Sequence, residues 1–434
     1  MLTPADVGIG GMDVTQRTPV SAGPNRNIRI AAGAALVAML ALSAQPAGAT
    51  GANRAHAGTR DAVHAAAHIP VWAADFMAGA VSVSLERAVR QARHFDVIVA
   101  LKGTYQPYVA QMKAANPDLT LLVYLNGVMA QSNQGNTYPD SWYATDAHDQ
   151  RVRSSGFGNY LMRPDDAGWA NDVADRCDTY LKDSGYDGCF LDVLGLAPLT
   201  PSYVTGRPVD PRTHAVWTSS EWLSATRHIA AVTRKAVSPA PVYGNGLADG
   251  DRYFANVPSS SILPPLDGAM AESFVRDPTA PAEQFRHRAA WRADVRMLAD
   301  AASRGVNTLS MTKVWTTATP RQRTALQRYA LGTFLLGYQP GHGYFSFRDD
   351  HGLTRYRPLW SVDLGAPLGA AHRVGRAWIR RFEKGVVVVN PTAARIRVGL
   401  GASGAHAAFT ARGRASKRAG RVVVGAHSAS ILTN

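Results

Sequence analysis

The chain is nearly devoid of cysteine, with only Cys177 and Cys189 among 434 residues. At most one internal disulfide can form. The thirteen His form no H-x-x-x-H pair beside an acid, so a zinc site is not expected. No G-x-S-x-G elbow is present, which argues against an α/β-hydrolase. No Gly-rich phosphate loop follows the first strand-like run, so no nucleotide cofactor is expected. No nucleic-acid motif accompanies the basic residues. Metal and organic cofactor are both expected to be absent. Acid is scarce at one end only. Residues 373–434 hold twelve Lys or Arg against the single Glu383, a net +11 of the whole chain's +14, and leave +3 for everything before. A basic C-terminal module suggests attraction to an acidic polymer, a cell wall or a membrane surface; composition bias gives the same count.

Long apolar runs are also missing. The longest candidate, Ala31 to Leu42, is too short to span a bilayer comfortably. With Arg26 and Arg29 before it and Ala47-Gly48-Ala49 after it, it has the three parts of a secretory signal. Residues 1–49 are therefore assigned to a signal peptide, with Met12 as an alternative start, and 50–67 to a linker. No Cys follows the signal, which argues against a lipoprotein and for a secreted protein. Export would permit a Cys177–Cys189 bridge. Trp169, Val173, Cys177 and Leu181 share one helix face, and period-2 alternation turns Cys189 outward if Phe190 and Asp192 alternate with it. Two unlinked buried thiols are the alternative.

From residue 68 onward strand-like runs alternate with helical patterns, which argues for an α/β fold with a parallel sheet. Eight strands are expected: Ile69–Ala73, Asp96–Leu101, Leu119–Asn126, Asp187–Asp192, Pro241–Asn245, Asp267–Glu272, Val306–Lys313 and Gly343–Phe347. Helices are expected near 84–93, 105–115, 168–184, 220–237, 283–304 and 320–336. Eight such units make a (β/α)8 TIM barrel, assigned to 68–355. The long connections 127–167 and 193–219 follow strand C-termini, where a barrel builds its active site. Past about 372 the helical pattern stops. Short strands at Gly385–Asn390, Arg395–Leu400, Ala407–Thr410, Arg421–Val424 and Ser430–Leu432 read as a small antiparallel β domain over 373–434.

Two strands share a frame. Asp187-Gly188-Cys189-Phe190-Leu191-Asp192 and Asp267-Gly268-Ala269-Met270-Ala271-Glu272 each open on Asp-Gly and close on a carboxylate. An apolar run ending in a lone acid reads as a buried parallel strand that delivers the acid to the active-site face. Asp192 and Glu272 are thus candidates for the carboxylate pair of glycosidic bond cleavage. Asp187 and Asp267 read as structural. Around the pair, Asp75, Lys102, Asn126, Asn245 and Lys313 stand at or just past strand ends, with Trp72, Tyr124, Tyr243, Trp315 and Tyr344 near them. Trp72, Asp75, Lys102, Tyr124, Asn126, Asn245, Lys313 and Trp315 are the candidate substrate-binding residues, because aromatic faces stack on sugars and polar side chains bind hydroxyls. Lys313 could instead pair with a barrel carboxylate.

The stretch Gly158-Asn159-Tyr160-Leu161-Met162-Arg163-Pro164, then Trp169, then Tyr186 to Asp192, resembles hypothetical glycosyl hydrolase family 15. The barrel is more distantly similar to endo-α-1,4-polygalactosaminidases and the α-galactosidase clan. The resemblance covers roughly 68–350. It implies a TIM barrel whose catalytic acids follow the fourth and sixth strands, positions that Asp192 and Glu272 occupy. Arg163 stands where the relatives carry an acid before Pro. The tail is similar to the β-sandwich appended to many glycosidase barrels.

These readings converge on a secreted glycoside hydrolase acting on a carbohydrate polymer, possible acidic polymers included, with no nucleic-acid partner and as a monomer. Asp192 is expected as nucleophile or base and Glu272 as general acid. The alternative is a non-catalytic carbohydrate- or cell-wall-binding barrel.

Overall fold

The structure is a computed structural model that describes residues 68–400, 406–409 and 415–434; the signal segment 1–49 and the linker 50–67 lie outside the described residues. Eight parallel strands run β1 (Trp72–Ala74), β2 (Val97–Ala100), β3 (Thr120–Asn126), β4 (Gly188–Asp192), β5 (Val242–Asn245), β6 (Gly268–Ala271), β7 (Asn307–Lys313) and β8 (Tyr344–Arg348), side by side in that order. A parallel bridge from Val71 to Phe345 closes the ring. This is the expected TIM barrel. Its interior is packed by Trp72, Val97, Val99, Leu122, Phe190, Tyr243, Met270, Leu309 and Met311, a filled core and not a pore.

Six principal helices surround it: α1 (Leu85–His94), α2 (Val109–Ala115), α3 (Ala167–Ser184), α4 (Ser219–Val237), α5 (Arg288–Ser303) and α6 (Pro320–Gly337). Their starts are written locally. Asp166 accepts from Gly168 and Trp169 N–H at the head of α3, and Thr218 with Glu221 and Thr319 with Gln322 form reciprocal capping boxes on α4 and α6. The expected helix at 283–304 begins later, at Arg288, because His287 supplies the cap.

The Asp-Gly frames have a physical cause. The Asp187 carboxylate accepts from Leu121 N–H (2.6 Å) and the Asp267 carboxylate from Val242 N–H (2.8 Å). Asp96 does the same to Val71 N–H (2.7 Å). Each acid caps the otherwise unpaired start of the strand beside its own. The following glycine leaves room for the neighbour: a Cβ on Gly188 would lie 2.2 Å from the Pro241 carbonyl, and one on Gly268 2.2 Å from the Tyr243 ring.

Cys177 on α3 and Cys189 on β4 form a disulfide, with Cα atoms 6.1 Å apart. Phe190 points into the barrel, and Cys189 therefore points out toward α3.

Past the barrel, β9 (His372–Val374), β10 (Ala377–Phe382), β11 (Gly385–Asn390), β12 (Ile396–Gly399), β13 (His406–Phe409), β14 (Ala415–Ala419), β15 (Arg421–Val424) and β16 (Ser428–Thr433) build antiparallel structure. Six form one sheet in the order β9-β10-β11-β16-β13-β14, and β12 pairs with β15 as a separate ribbon. One sheet face packs on that ribbon through Ile379, Val386, Val388, Val398 and Val424. The other carries Val387, Val389, Ala429 and Ile431 into the same hydrophobic core as α6 and the outer barrel.

Among the described residues no helix is long and apolar enough to cross a membrane.

Candidate active site

Strand parity decides which polar residues face the barrel axis. Interior residues recur at every second position, so Tyr124 and Asn126 of β3, Asp192 of β4, Asn245 of β5, Glu272 just past β6 and Lys313 of β7 fall on one interior rim at the C-terminal end. The structure links them in one hydrogen-bonded chain. Tyr124 donates its phenol proton to Asp192 Oδ2 at 2.6 Å. Asn126 stands beside that phenol and also accepts from Val128 N–H. The Asn245 amide nitrogen donates to Asp192 Oδ1 at 2.8 Å and to Glu272 Oε2 at 3.0 Å. Lys313 Nζ meets Glu272 Oε1 at 2.5 Å.

The shared amide bounds the separation of the two oxygens it contacts. Two oxygens on one nitrogen at those distances lie no more than about 6 Å apart, and about 5 Å apart for amide N–H bonds diverging by the ideal 120° or so. Both acids are half-buried, so neither residue is sealed from solvent.

Their electrostatics differ. Burial raises the Asp192 carboxyl above its ordinary range, the neighbouring Glu272 charge raises it further, and the hydrogen bonds from Tyr124, Asn245 and Val193 offset this only in part. Burial works in the same direction on Glu272, but the Lys313 ammonium outweighs it through charge and hydrogen bond, and the carboxyl ends below its ordinary range.

Trp315, two residues past Lys313, stays half-exposed at the rim, stacked on His351 with ring centroids 4.2 Å apart. Lys313 Nζ lies 5.9 Å from its ring.

Three of the candidate substrate-binding residues lie elsewhere. Trp72 is fully buried in the barrel interior, where its indole N–H donates to the Ser310 carbonyl. Asp75 is on the wrong parity: Trp72 and Ala74 face inward, so the Asp75 carboxylate turns out under α1, accepting from Tyr105 O–H, Gln91 and Thr354 N–H. Lys102 fails for the same reason. Val97 and Val99 face inward, and Lys102 reaches outward to Asp183 on α3 at 2.7 Å. Tyr243 and Tyr344 sit lower in the barrel, where Asn307, the first residue of β7, donates to the Tyr243 hydroxyl.

One nearby residue had no motif to announce it. Tyr203 lies in the β4–α4 connection. Burial pushes its phenol up, and the charges of Asp192 and then Glu272 push it further. The composition of 193–219 marked the loop but not the residue.

A family model matches residues 113–386, more than half of the chain and both carboxylate strands. The chain belongs to hypothetical glycosyl hydrolase family 15. No curated protein matches it. Solved structures similar to this family member include a noncanonic maltogenic α-amylase from Thermotoga neapolitana, with 11% identity over 84% of this chain and 98% of that chain and a TM-score of 0.46. The Eubacterium rectale protein Amy13B has 8% identity over 85% and 96% at a TM-score of 0.48. A GH36 α-galactosidase from Geobacillus stearothermophilus has 10% identity over 84% and 55% at a TM-score of 0.44. In this member of the family Arg163, at the position before Pro164, forms an ion pair with Asp165 at 3.0 Å and donates to the Ser141 carbonyl.

Proposed function

We propose that the protein is a retaining glycoside hydrolase in which Glu272 is the nucleophile and Asp192 the general acid and base. The observation that carries the reading is the Asn245 amide held by both carboxylates. A separation of about 5 Å suits retention, for which carboxyl groups stand about 5–5.5 Å apart; inversion needs about 6.5–9.5 Å to admit a water.

The roles reverse those expected from strand position, and Lys313 is the reason. A nucleophile must be ionised, and Glu272 has the cation. An acid must keep its proton, and Asp192 has burial and a like charge beside it. In the first step a Glu272 oxygen attacks the anomeric carbon, the glycosidic C–O bond breaks, and the leaving oxygen takes the Asp192 proton. Tyr124, Asn245 and the Val193 N–H then stabilise the charge that Asp192 acquires. In the second step Asp192 takes a proton from water, and the resulting hydroxide displaces Glu272 from the sugar. The half-exposed Trp315 offers a stacking face for a sugar ring.

A carbohydrate polymer is the proposed substrate. Export is part of the same reading, supported by the residue 26–49 pattern and by a disulfide that suits an oxidising compartment. The exposed Arg373, Arg376, Arg395, Arg397 and Arg421 support contact with an anionic surface.

The test is azide rescue of Glu272→Ala and Asp192→Ala on an activated aryl glycoside found in a panel screen. Glu272→Ala is expected to yield the glycosyl azide of inverted configuration, and Asp192→Ala the retained one. The opposite pattern would restore the expected roles. A wild-type enzyme whose first-formed sugar is inverted would end the retaining assignment.

A further inference from the structure

We propose that Tyr203 contacts the substrate, donating its phenol hydrogen to a hydroxyl of the sugar ring held between Asp192 and Glu272. This rests on the carboxylate pair being catalytic. The loop that carries Tyr203 springs directly from Asp192 at the end of β4 and is tied down by pairing with the neighbouring β3–α3 connection. Ser155 N–H donates to the Tyr203 carbonyl at 2.9 Å, Thr205 N–H to the Arg153 carbonyl at 2.8 Å, and Arg153 N–H to Thr205 Oγ1 at 3.0 Å. Ser154 and Val204 form a bridge between the same segments. Residues 203–205 therefore form a short rigid wall, and not a free loop tip.

The hydroxyl of Tyr203 is unspent. Tyr105, Tyr124, Tyr186 and Tyr253 donate to Asp75, Asp192, the Leu101 carbonyl and Asp300 respectively. Among the described residues the Tyr203 hydroxyl has no hydrogen-bond partner, although the ring is half-buried and packed on the core. It is near enough to Tyr124, Asp192 and Glu272 to interact with all three electrostatically. The carboxylates do not need it. Asp192 already accepts from Tyr124, Asn245 and Val193, and Glu272 from Asn245 and Lys313. A donor near a satisfied pair is available to what lies between them, and a sugar hydroxyl is the acceptor that fits.

The experiment compares wild type, Tyr203→Phe, Asp192→Asn and Glu272→Gln on a panel of 4-nitrophenyl glycosides, then repeats the first two on monodeoxy forms of the cleaved glycoside. Tyr203→Phe is expected to lower kcat/KM by about 10- to 100-fold, as for loss of a transition-state hydrogen bond, with an unchanged melting temperature. That loss should vanish on the one deoxy glycoside lacking the bonded hydroxyl. A Tyr203→Phe enzyme within about twofold of wild type on every glycoside, beside inactive Asp192→Asn and Glu272→Gln, would overturn the contact and leave the pair intact. An effect of equal size on all deoxy forms would also overturn it. Full turnover by the two carboxylate variants, or none by wild type across the panel, would refute the pair and this inference with it.

Discussion

Replacing Lys313 by Met separates the two possible role assignments. The residue is 7% exposed and nearly isosteric with Met, so the barrel wall should survive the change. At 2.5 Å and an effective dielectric constant of about 20, the ion pair's attraction is about 6–7 kcal/mol before desolvation. Burial of both charges takes much of this back, and partial solvent access to Glu272 screens more. What remains still favours ionised Glu272. The sign follows directly. Removing the cation raises the Glu272 pKa, so the pH at which an ionised nucleophile becomes available rises. The acid limb of the kcat/KM profile should therefore move up, and the alkaline limb, set on the proposed assignment by Asp192, should move less. The assay is a pH–rate profile on an aryl glycoside, with a melting curve at each pH. If the alkaline limb moves up instead, Glu272 is the acid and the assignment is wrong. If neither limb moves while activity persists, the ion pair does not set the chemistry.

Asp294, fully buried on α5, accepts from Gly250 and Val275 N–H and has its pKa raised to about 7, with burial outweighing the nearby Arg286. The unfolded chain loses this proton near pH 4, so stability from this group is complete below that and is lost as pH rises toward 7. Urea midpoints should show Asp294→Asn gaining on wild type between about pH 4 and 7, at no more than about 1.4 kcal/mol per pH unit; parallel curves would refute it. Replacing both Cys177 and Cys189 by Ala should cost on the order of 3 kcal/mol in the same assay, because the bridge closes a short loop, and no loss would argue against the bridge. Arg380 is buried and donates to the Leu335, Tyr338 and Gly369 carbonyls, so Arg380→Met should lower the melting temperature. Neutralising the exposed Arg373, Arg376, Arg397 and Arg421 should instead weaken salt-sensitive co-sedimentation with an anionic polysaccharide; equal sedimentation would refute the surface role.

The barrel was legible because its strands are short apolar runs with turn or cap signals on both sides, and helices lie between them. The carboxylate pair was legible because a lone acid at the end of such a run has one place to go. Parity within a strand worked for Cys189 against Phe190, where both residues lie inside β4. It was not applied to Asp75 and Lys102, just past the ends of β1 and β2, and both point outward. The roles proposed for the two acids rest on an ion pair between residues 41 apart in sequence; that Lys313 could pair with a barrel carboxylate was legible, but not with which one. Tyr203 was hidden for a related reason: its position comes from backbone pairing between two irregular loops, which leaves no periodic trace.

Helix α6 has apolar surface on two sides. From Leu326 to Gly337 nearly every residue is buried, with the barrel on one flank and the C-terminal sheet on the other. Contact at Gly332 is so close that an added methyl would lie 2.5 Å from the Ala429 side chain. The sheet is thus not an appendage that could be trimmed or exchanged between relatives. A chain ending before His372 would leave the outer flank of α6 wet and would strip Arg380 from the Leu335 and Tyr338 carbonyls near the helix's last turn. Any engineered transplant of this barrel would have to carry its sheet with it, or redesign α6 as a surface helix.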